Sequence, residues 1–500
     1  MHYSFFRKLF RDTTYQFFLR GSLVGLTTHL KMRKEKLSHW RSILLILVLI
    51  GIMAAAYMLP TPDGLSHHGQ VMIGIMLVGG ILWITELIPL AATGLLIMII
   101  QPLLGTLPSE EVFSSFGNQA IFFLIGAFIL AAAIEKYGLH KRLALRLLGF
   151  FVKKPRLLSL GIMSSCTVLC FIMPEHGVAA LFLPIVTSIL LVMKVPPRQS
   201  NFGKICMLSV AYGCSIGSLG TLVGGARNPL TINLLATLDP PITVSFLDWM
   251  VYAMPVVFIA FPLVWLVLNF AFPVEVTSIE DVKKELEEQK EQVGPWTGSQ
   301  LIVLGIVGLT VFLWVFISYP IYFGLAVIAL TGSLLLFLTK KLSWRDVEVR
   351  VPWGIILLYG GAITLGVGIQ KTGAGAWIAY RIFEYAGHQT FLVILVLIVL
   401  TVLLTNFMSN VAAVAILLPI GLSIAVEVPG VSPLLAGMIV ALSGGLAFML
   451  VISTPGNAIT YSAGYFSTRD LLRAGVIANV LCVGVIFLVA IVYWKGVLGL

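Results

Sequence analysis

Long apolar segments recur along almost the whole chain. Ser42 to Leu59 and Gly475 to Trp494 each approach the roughly 20 residues that one helical crossing of a bilayer needs. Barrel strands would alternate in polarity and be about half as long, so the pattern predicts a bundle of transmembrane helices. Spans are predicted near 42–60, 69–88, 89–105, 119–137, 205–237, 245–272, 299–318, 320–339, 353–371, 433–466 and 472–497.

Two further apolar regions, 156–193 and 390–427, are interrupted near their middle. If each is a re-entrant hairpin that enters and leaves by the same face, eleven crossings remain. The predicted fold class is therefore an all-α integral membrane protein with about eleven transmembrane helices and two re-entrant hairpins.

Composition excludes an ordinary soluble globule, in which about a quarter of the residues would be charged. Here 11% are charged, 59% are hydrophobic and the mean hydropathy is +1.01. The net charge of +10 does not predict a nucleic-acid partner, because the basic residues flank apolar spans. The five cysteines lie in apolar segments without metal-ligand spacing, and we expect them to pack as small apolar residues.

Basic residues also predict the orientation. Residues 1–41 carry nine Lys and Arg residues, which favours a cytoplasmic N-terminus followed by a retained first span and loop, 42–68. This basic segment either lies on the anionic inner leaflet or is a disordered tail. Segment 136–156 carries seven Lys and Arg residues, and the connection 427–432 carries none. Eleven crossings then place the C-terminus outside and the polar linker 273–298 in the cytoplasm.

The chain contains an internal repeat. Segment 116–185 aligns without a gap on 351–420, and seventeen of seventy positions are identical, among them several Gly, Lys, Arg and Pro residues. Five predicted crossings separate equivalent points, an odd number, so the repeats 69–272 and 299–497 would insert in opposite orientations. That architecture is typical of secondary transporters that bind their substrate at the midplane.

The interruptions are also paired. Pro-Glu-His at 174–176 aligns with Ser-Asn-Val at 409–411, and a second pair of Gly- and Pro-containing breaks lies at 220–229 and 451–458. Broken helices at membrane depth are tolerated where they are buried or line a cavity. Their free N–H groups favour an anion, while their carbonyls and hydroxyls favour a small cation. The alternative is that the breaks are kinks without a ligand.

Several stretches resemble the divalent anion/sodium symporter family, which moves dicarboxylates, citrate or sulfate. They include ITELIPLAATGLL (84–96), TNFMSNVAAVAILLPI (405–420) and STPGNAI (453–459). The resemblance implies a homodimer and a sodium site made by Thr405, Ser409, Asn410 and the carbonyl of Ser453. Val411 departs from the family, which has a substrate-binding threonine there. The substrate-binding candidates are Glu175, His176, Arg227, Asn228, Asn410, Thr454 and Asn457.

The first repeat departs further from the family pattern. Cys170 and Pro174 stand where hydroxyl ligands are expected, while Glu175 and His176 replace an asparagine and a threonine. We hypothesise that Arg227, with or without protonated His176, replaces the first sodium ion as a built-in cation, and that Glu175 orients it or titrates against it. The alternative is that Glu175 and Arg227 are a buried structural pair.

The sequence therefore predicts a secondary active transporter of divalent anions in the cytoplasmic membrane, coupled to sodium at one surviving site. Proton coupling or anion exchange on the same fold is the first alternative, and an anion-binding membrane sensor is the second. An enzyme is not expected, because no Walker loop, HExxH motif or catalytic triad pattern is visible. The expected partners are a small anion and the lipid bilayer, with no organic cofactor.

Overall fold

The computed structural model describes residues 39–500, apart from 115, 277, 318–322, 387–388 and 428–429. Most of the predicted basic segment 1–41 therefore lies outside the described residues. The chain divides into two units, and the described part of the first is helix α1 (His39–Met58). α1 begins three residues before the predicted span Ser42 to Leu59 and ends one residue before its end.

The second unit, Leu59–Leu500, holds the remaining helices. In chain order they are α2 (His67–Thr85), α3 (Leu90–Leu103), α4 (Ser109–Ser114), α5 (Gln119–Lys136), α6 (Leu139–Gly149), α7 (Pro155–Leu169), α8 (Glu175–Val192), α9 (Asn201–Gly217), α10 (Arg227–Ala236), α11 (Phe246–Ala271), α12 (Glu280–Val293), α13 (Gly298–Phe316), α14 (Leu325–Leu338), α15 (Trp344–Arg350), α16 (Trp353–Lys371), α17 (Ala374–Ala386), α18 (Thr390–Phe407), α19 (Asn410–Glu427), α20 (Pro433–Ser443), α21 (Pro455–Ser462) and α22 (Thr468–Leu488), followed by a π-helical segment (Val489–Lys495).

The helix boundaries follow the internal repeat. α14 occupies the positions of α3 shifted by 235 residues, and α19 occupies those of α8 with the same shift. The short helix α15 likewise begins 235 residues after α4. Six consecutive helices, α3 to α8, thus correspond in order to α14 to α19. The repeat inferred from sequence identities is present in the secondary structure.

Helices of the two repeats pack against each other at glycines. A Cβ on Gly361 of α16 would collide with the Cα of Gly94 on α3. At the repeat-related crossing, a Cβ on Gly126 of α5 would collide with Ala329 of α14. Each repeat therefore supplies a helix that packs closely against the other repeat, and the small residues set that close approach.

The predicted interruptions lie at helix ends, but both breaks begin and end earlier in the chain than the predicted 220–229 and 451–458. α9 ends at Gly217 and α10 begins at Arg227, while α20 ends at Ser443 and α21 begins at Pro455. We call residues 218–226 the first break and 444–454 the second break. α7 and α8 are joined by 170–174, and α18 and α19 by 408–409, which place Glu175 and Asn410 at the first position of their helices. These four features bring the candidate residues to helix ends.

Eight helical segments within the described ranges are long and apolar enough to cross a membrane. All five cysteines are buried and free of disulfides, in agreement with their predicted packing role. The predicted polar linker 273–298 contains α12.

The short polar helix α15 lies next to the end of the long helix α5. α15 begins with a capping box in which Ser343 and Asp346 bond each other's backbone N–H groups. Lys136 at the end of α5 donates to Asp346 Oδ2 at 2.7 Å and, with Ser343, holds the pKa of that carboxyl below its usual range. This contact ties the end of α5 to the connection that leads into α16.

Candidate functional site

Two asparagines hold the two breaks in the same shape. Asn228 Nδ2 donates to the carbonyls of Ser218 and Thr221 at 2.8 and 2.7 Å. Asn457 Nδ2 donates to the carbonyls of Ala447 and Leu450, both at 3.0 Å. Each of the three residues in the second set lies 229 positions after its counterpart. The amides thus satisfy carbonyls that an interrupted helix releases.

The opposite end of each amide is without a partner. The Oδ1 atoms of Asn228 and Asn457 are buried and accept no hydrogen bond from the described residues. Both side chains are 0% exposed. A buried amide oxygen without a donor is an acceptor for a cation or a water molecule.

Arg227 is held by the first break and by the end of α20. Its side chain is 1% exposed, and its Nη2 donates to Ser218 Oγ of the first break at 2.8 Å. Its Nε donates to the carbonyl of Ala441, at the end of α20, at 3.1 Å. A Cβ on Gly225 would lie 2.7 Å from Nη1, and a Cβ on Gly445 would collide with Nη2. The absence of side chains at these two glycines gives the guanidinium its room.

Glu175 approaches Arg227 without touching it. Its backbone N–H donates to the carbonyl of Gly224 at 3.1 Å, which fixes the start of α8 against the first break. The two opposite charges attract, while Ser218 Oγ accepts from Arg227 and donates to the Ser215 carbonyl at 2.7 Å. Among the described residues no N–O distance of 4.0 Å or less joins the two groups. Glu175 Oε2 is buried without a partner, so the carboxylate keeps free acceptor capacity.

Three oxygen atoms converge in the second repeat. Thr405 Oγ1 lies 2.8 Å from Asn410 Oδ1 and 2.7 Å from the carbonyl oxygen of Gly444. All belong to buried positions, and Gly444 opens the second break. Asn410 Nδ2 is buried without a partner. A hydroxyl, an amide oxygen and a freed carbonyl are hard ligands, the donor set that suits a small alkali cation.

The other predicted ligands of the second repeat have local structural contacts. Ser409 Oγ accepts from the Ala412 N–H at 3.3 Å, at the start of α19. Ser453 Oγ donates to the Leu450 carbonyl at 2.6 Å and accepts from Asn457 Nδ2 at 3.1 Å. Thr454 Oγ1 caps α21 by accepting from the Asn457 N–H at 3.0 Å. The bonds of Ser453 and Thr454 stabilise the conformation of the second break.

A cavity of about 430 Å³ reaches His176. Its charged or titratable lining residues are His176, Glu135, His140 and Arg350, and Arg350 Nη1 pairs with Glu135 Oε1 at 2.7 Å. The remaining lining residues are Phe128, Ala131, Ala132, Met173, Pro174, Gly177, Ala180, Leu181, Pro352 and Ile459. The cavity is therefore lined by one hairpin tip, by α21 of the second repeat and by the ion pair between Glu135 and Arg350.

A comparison with known protein families covers nearly the whole chain. Residues 36–500 match the family described as the sodium:sulfate symporter transmembrane region. The chain belongs to the sodium:sulfate symporter family. This membership confirms the resemblance seen in the motifs. The protein is therefore a membrane transporter of a family of sodium and divalent-anion symporters.

Curated relatives of this symporter family member are named sodium-dependent dicarboxylate transporter SdcS. The protein of Staphylococcus saprophyticus subsp. saprophyticus is 31% identical over 464 residues, which cover 88% of this chain and 89% of the relative. The protein of Staphylococcus aureus strain USA300 is 30% identical over 464 residues, which cover 88% of each.

Solved structures of other transporters share the fold. The YdaH transporter of Alcanivorax borkumensis aligns with a TM-score of 0.53 and 14% identity, covering 77% of this chain and 87% of that chain. MtrF of Neisseria gonorrhoeae, described within a class of antimetabolite efflux pumps, aligns with a TM-score of 0.53 and 12% identity, covering 88% and 97%. At these identities the likeness concerns the architecture alone.

The structure links most of the predicted residues of this symporter family member through contacts around the second break. Glu175 is bonded to Gly224 of the first break, Arg227 contacts Ser218, Ala441 and Gly445, and Gly444 contacts Thr405. His176 belongs to the cavity, whereas Arg227, Asn228, Thr405 and Asn410 are not among its lining residues. The cluster and the cavity thus meet at the tip that carries Glu175 and His176.

Sequence reasoning did not find Ser218, Gly444 or Gly445. The breaks correspond at a spacing of 229 residues, while the hairpins correspond at 235. A gapless comparison at 235 does not align the breaks, because the segment between hairpin and break is six residues shorter in the second repeat than in the first. A second comparison at 229 would have paired Ser218-x-x-Thr221 with Ala447-x-x-Leu450 through the shared asparagine.

Proposed function

We propose that the protein is a secondary active transporter that moves a divalent anion across the cytoplasmic membrane together with sodium bound in the second repeat. The proposal is supported by family membership and by relatives named sodium-dependent dicarboxylate transporters. The observation that carries it is the difference between two repeat-related places. Oxygen atoms converge at Thr405, Asn410 and Gly444, while a guanidinium takes part at Ser218 and Glu175.

The sodium ion binds at Thr405, Ser409, Asn410 and Ser453, with the Gly444 carbonyl as an added ligand. Thr405 Oγ1 already lies 2.8 Å from Asn410 Oδ1 and 2.7 Å from the Gly444 oxygen. In the first repeat, Cys170 and Pro174 offer no hard oxygen in their side chains, so Arg227 supplies the positive charge there.

The substrate binds between the two hairpin tips, next to the cavity that His176 lines. Asn410 Nδ2 offers a buried free donor, and His176, Arg227, Asn228, Thr454 and Asn457 complete the candidate set around Glu175. The apolar walls of the 430 Å³ cavity suit an organic dianion with a carbon skeleton better than a bare inorganic anion. A dicarboxylate is therefore the substrate class to test first.

The proposed membrane arrangement has eleven crossings, two re-entrant hairpins, a cytoplasmic N-terminus and an external C-terminus, in a homodimer. The order of helices α3 to α8 repeated in α14 to α19 supports two equivalent halves. The positive-inside rule supports the orientation, because seven Lys and Arg residues lie between 136 and 156.

The test is uptake of labelled succinate by proteoliposomes that contain the purified protein, with sodium or choline outside. We expect uptake to depend on sodium, and Thr405→Ala to lower the apparent sodium affinity at least about tenfold, the effect of losing one charge-assisted ligand. Thr401→Ala is the matched control, because Thr401 is buried one turn earlier on α18 and donates only to the Leu397 carbonyl. Uptake that is equal in choline, or an identical sodium response in both variants, would contradict the proposal.

Anion exchange is the second candidate, and the burial of Arg227 favours it. A guanidinium that is 1% exposed and bound to Ser218 and to the Ala441 carbonyl stays with the protein when the substrate leaves. With Glu175 protonated, as this mechanism requires, returning the charge across the apolar barrier without an anion is costly, since a lone charge at mid-membrane costs about 2.5 to 3.5 kcal/mol. A carrier that returns loaded avoids that cost.

A further inference from the structure

A basic cavity lies where α6, the linker helix α12 and the segment before α13 meet. Its volume is about 300 Å³, and its lining residues are Arg142, Leu145, Arg146, Lys290, Val293 and Trp296. Three of these six side chains are cationic, and no carboxylate belongs to the lining that the structure describes. No lining residue comes from the hairpin tips or the breaks, so the cavity is separate from the candidate transport site.

Arg142 is fixed in the wall of this cavity. Its Nη2 donates to the carbonyls of Val293 and Pro295 at 3.3 and 3.0 Å and to Gln300 Oε1 at 3.3 Å. Its guanidinium carbon lies 4.6 Å from the centre of the Trp296 ring. The Nε atom is buried and has no hydrogen-bond partner. The side chain is thus pre-organised and retains a buried donor, which an acceptor would satisfy.

The two other cations, Arg146 and Lys290, make no ion pair within 4.0 Å among the described residues. Lys290 Nζ approaches Gly149 closely enough that a Cβ there would lie 2.7 Å from it. Three neighbouring positive charges repel one another, so an anion with several acceptor oxygens would relieve the repulsion and fill the free donors.

We propose that this cavity binds the phosphate group of an anionic ligand, either a phospholipid headgroup or a free phosphate compound. Arginine forks match phosphate oxygens, and Trp296 is typical of the headgroup level of a bilayer. The cavity lies beside segment 136–156, whose seven Lys and Arg residues favour the cytoplasmic face, where anionic lipids attract basic pockets. A bound phosphate would tie α6 of the first repeat to the linker that leads into the second.

The experiment measures thermal unfolding of the full chain, purified in an uncharged detergent, during titration with defined ligands. One arm adds short-chain phosphatidylglycerol, with phosphatidylcholine as its comparison, and the other adds inorganic phosphate or pyrophosphate. The test variant is Arg146→Gln with Lys290→Gln, which leaves the structural bonds of Arg142 in place. The matched control is Lys153→Gln with Lys154→Gln, which removes the same charge from exposed positions outside the cavity.

We expect the unmutated protein and the control variant to be stabilised by one of the two ligand types, with about 30-fold weaker apparent binding in the test variant. Stabilisation by phosphatidylglycerol alone identifies a lipid headgroup as the ligand. Stabilisation by phosphate or pyrophosphate in detergent identifies a soluble source. A response to neither ligand, or equal responses of the test and control variants, overturns the proposal.

Discussion

Arg227 and Glu175 are either part of a charge-bearing site at the first break or a purely structural pair. We expect Arg227→Met to lower the free energy of unfolding by about 3 kcal/mol, because Glu175 loses its attractive charge within the membrane and the Ala441 carbonyl loses its donor. Unfolding of the purified variant in detergent, by heat or denaturant, measures this loss.

The double variant Arg227→Met with Glu175→Gln separates the two roles. Removing both charges should recover most of the lost stability, since no lone charge is left buried. If the pair is only structural, the double variant also keeps sodium-coupled uptake unchanged. If Arg227 replaces a sodium ion, uptake falls or its sodium dependence changes while stability recovers. A double variant that is no more stable than Arg227→Met would show that the two charges do not act on each other.

Residue types and order predict that Glu175 and Arg227 act on each other, because a charge in an apolar span requires a partner. They did not anticipate that Arg227 bonds Ser218 and, in the second repeat, the Ala441 carbonyl. Such contacts depend on how two breaks that are far apart in sequence approach each other. The glycines that permit this approach, Gly225 and Gly445, look like ordinary break residues in the sequence.

At the scale of helices, the crossing of α3 and α16 is set by glycine. We expect Gly361→Ala to cost about 1 to 3 kcal/mol of stability, because its Cβ would collide with the backbone of Gly94, which cannot move as a flexible side chain would. The control is Gly305→Ala on α13, where a Cβ meets nothing within 4 Å. There the gain in helix propensity should leave the protein neutral or slightly more stable. Thermal unfolding of both variants would contradict this view if Gly361→Ala were as stable as Gly305→Ala.

Helix positions were largely predictable, because long apolar segments and Gly or Pro breaks are local signals. The short helices α4 and α15 were not predicted, since neither is apolar enough to be read as a span. The capping-box pattern Ser343-x-x-Asp346 was the available signal for α15. The packing of α3 from the first repeat against α16 from the second was not predictable either, because it depends on a long-range contact between Gly94 and Gly361.

For the whole molecule, the repeat was visible in the sequence because its spacing of 235 residues is kept without a gap through six helices. What the spacing does not reveal is that the two halves have become chemically unequal. In the proposed mechanism, a transporter with one cation from solution and one built into the chain carries a different charge when it is unloaded than a transporter that takes both cations from solution. That difference must appear in the kinetics of the unloaded carrier.

Moving a dianion into a negative cell costs about 4.6 kcal/mol per 100 mV, twice the value for one charge, and bound cations offset this cost. Arg227 cannot dissociate, and with Glu175 protonated, as the exchange mechanism requires, the unloaded carrier returns with a buried positive charge. We therefore expect labelled succinate to leave proteoliposomes at least about tenfold faster into medium with unlabelled succinate than into substrate-free medium, a barrier difference of about 1.4 kcal/mol. The double variant Arg227→Met with Glu175→Gln should narrow that gap, because no fixed charge then has to return alone. Equal efflux into both media by the unmutated protein would show that the unloaded carrier returns freely, and the built-in cation would then have no part in limiting the cycle.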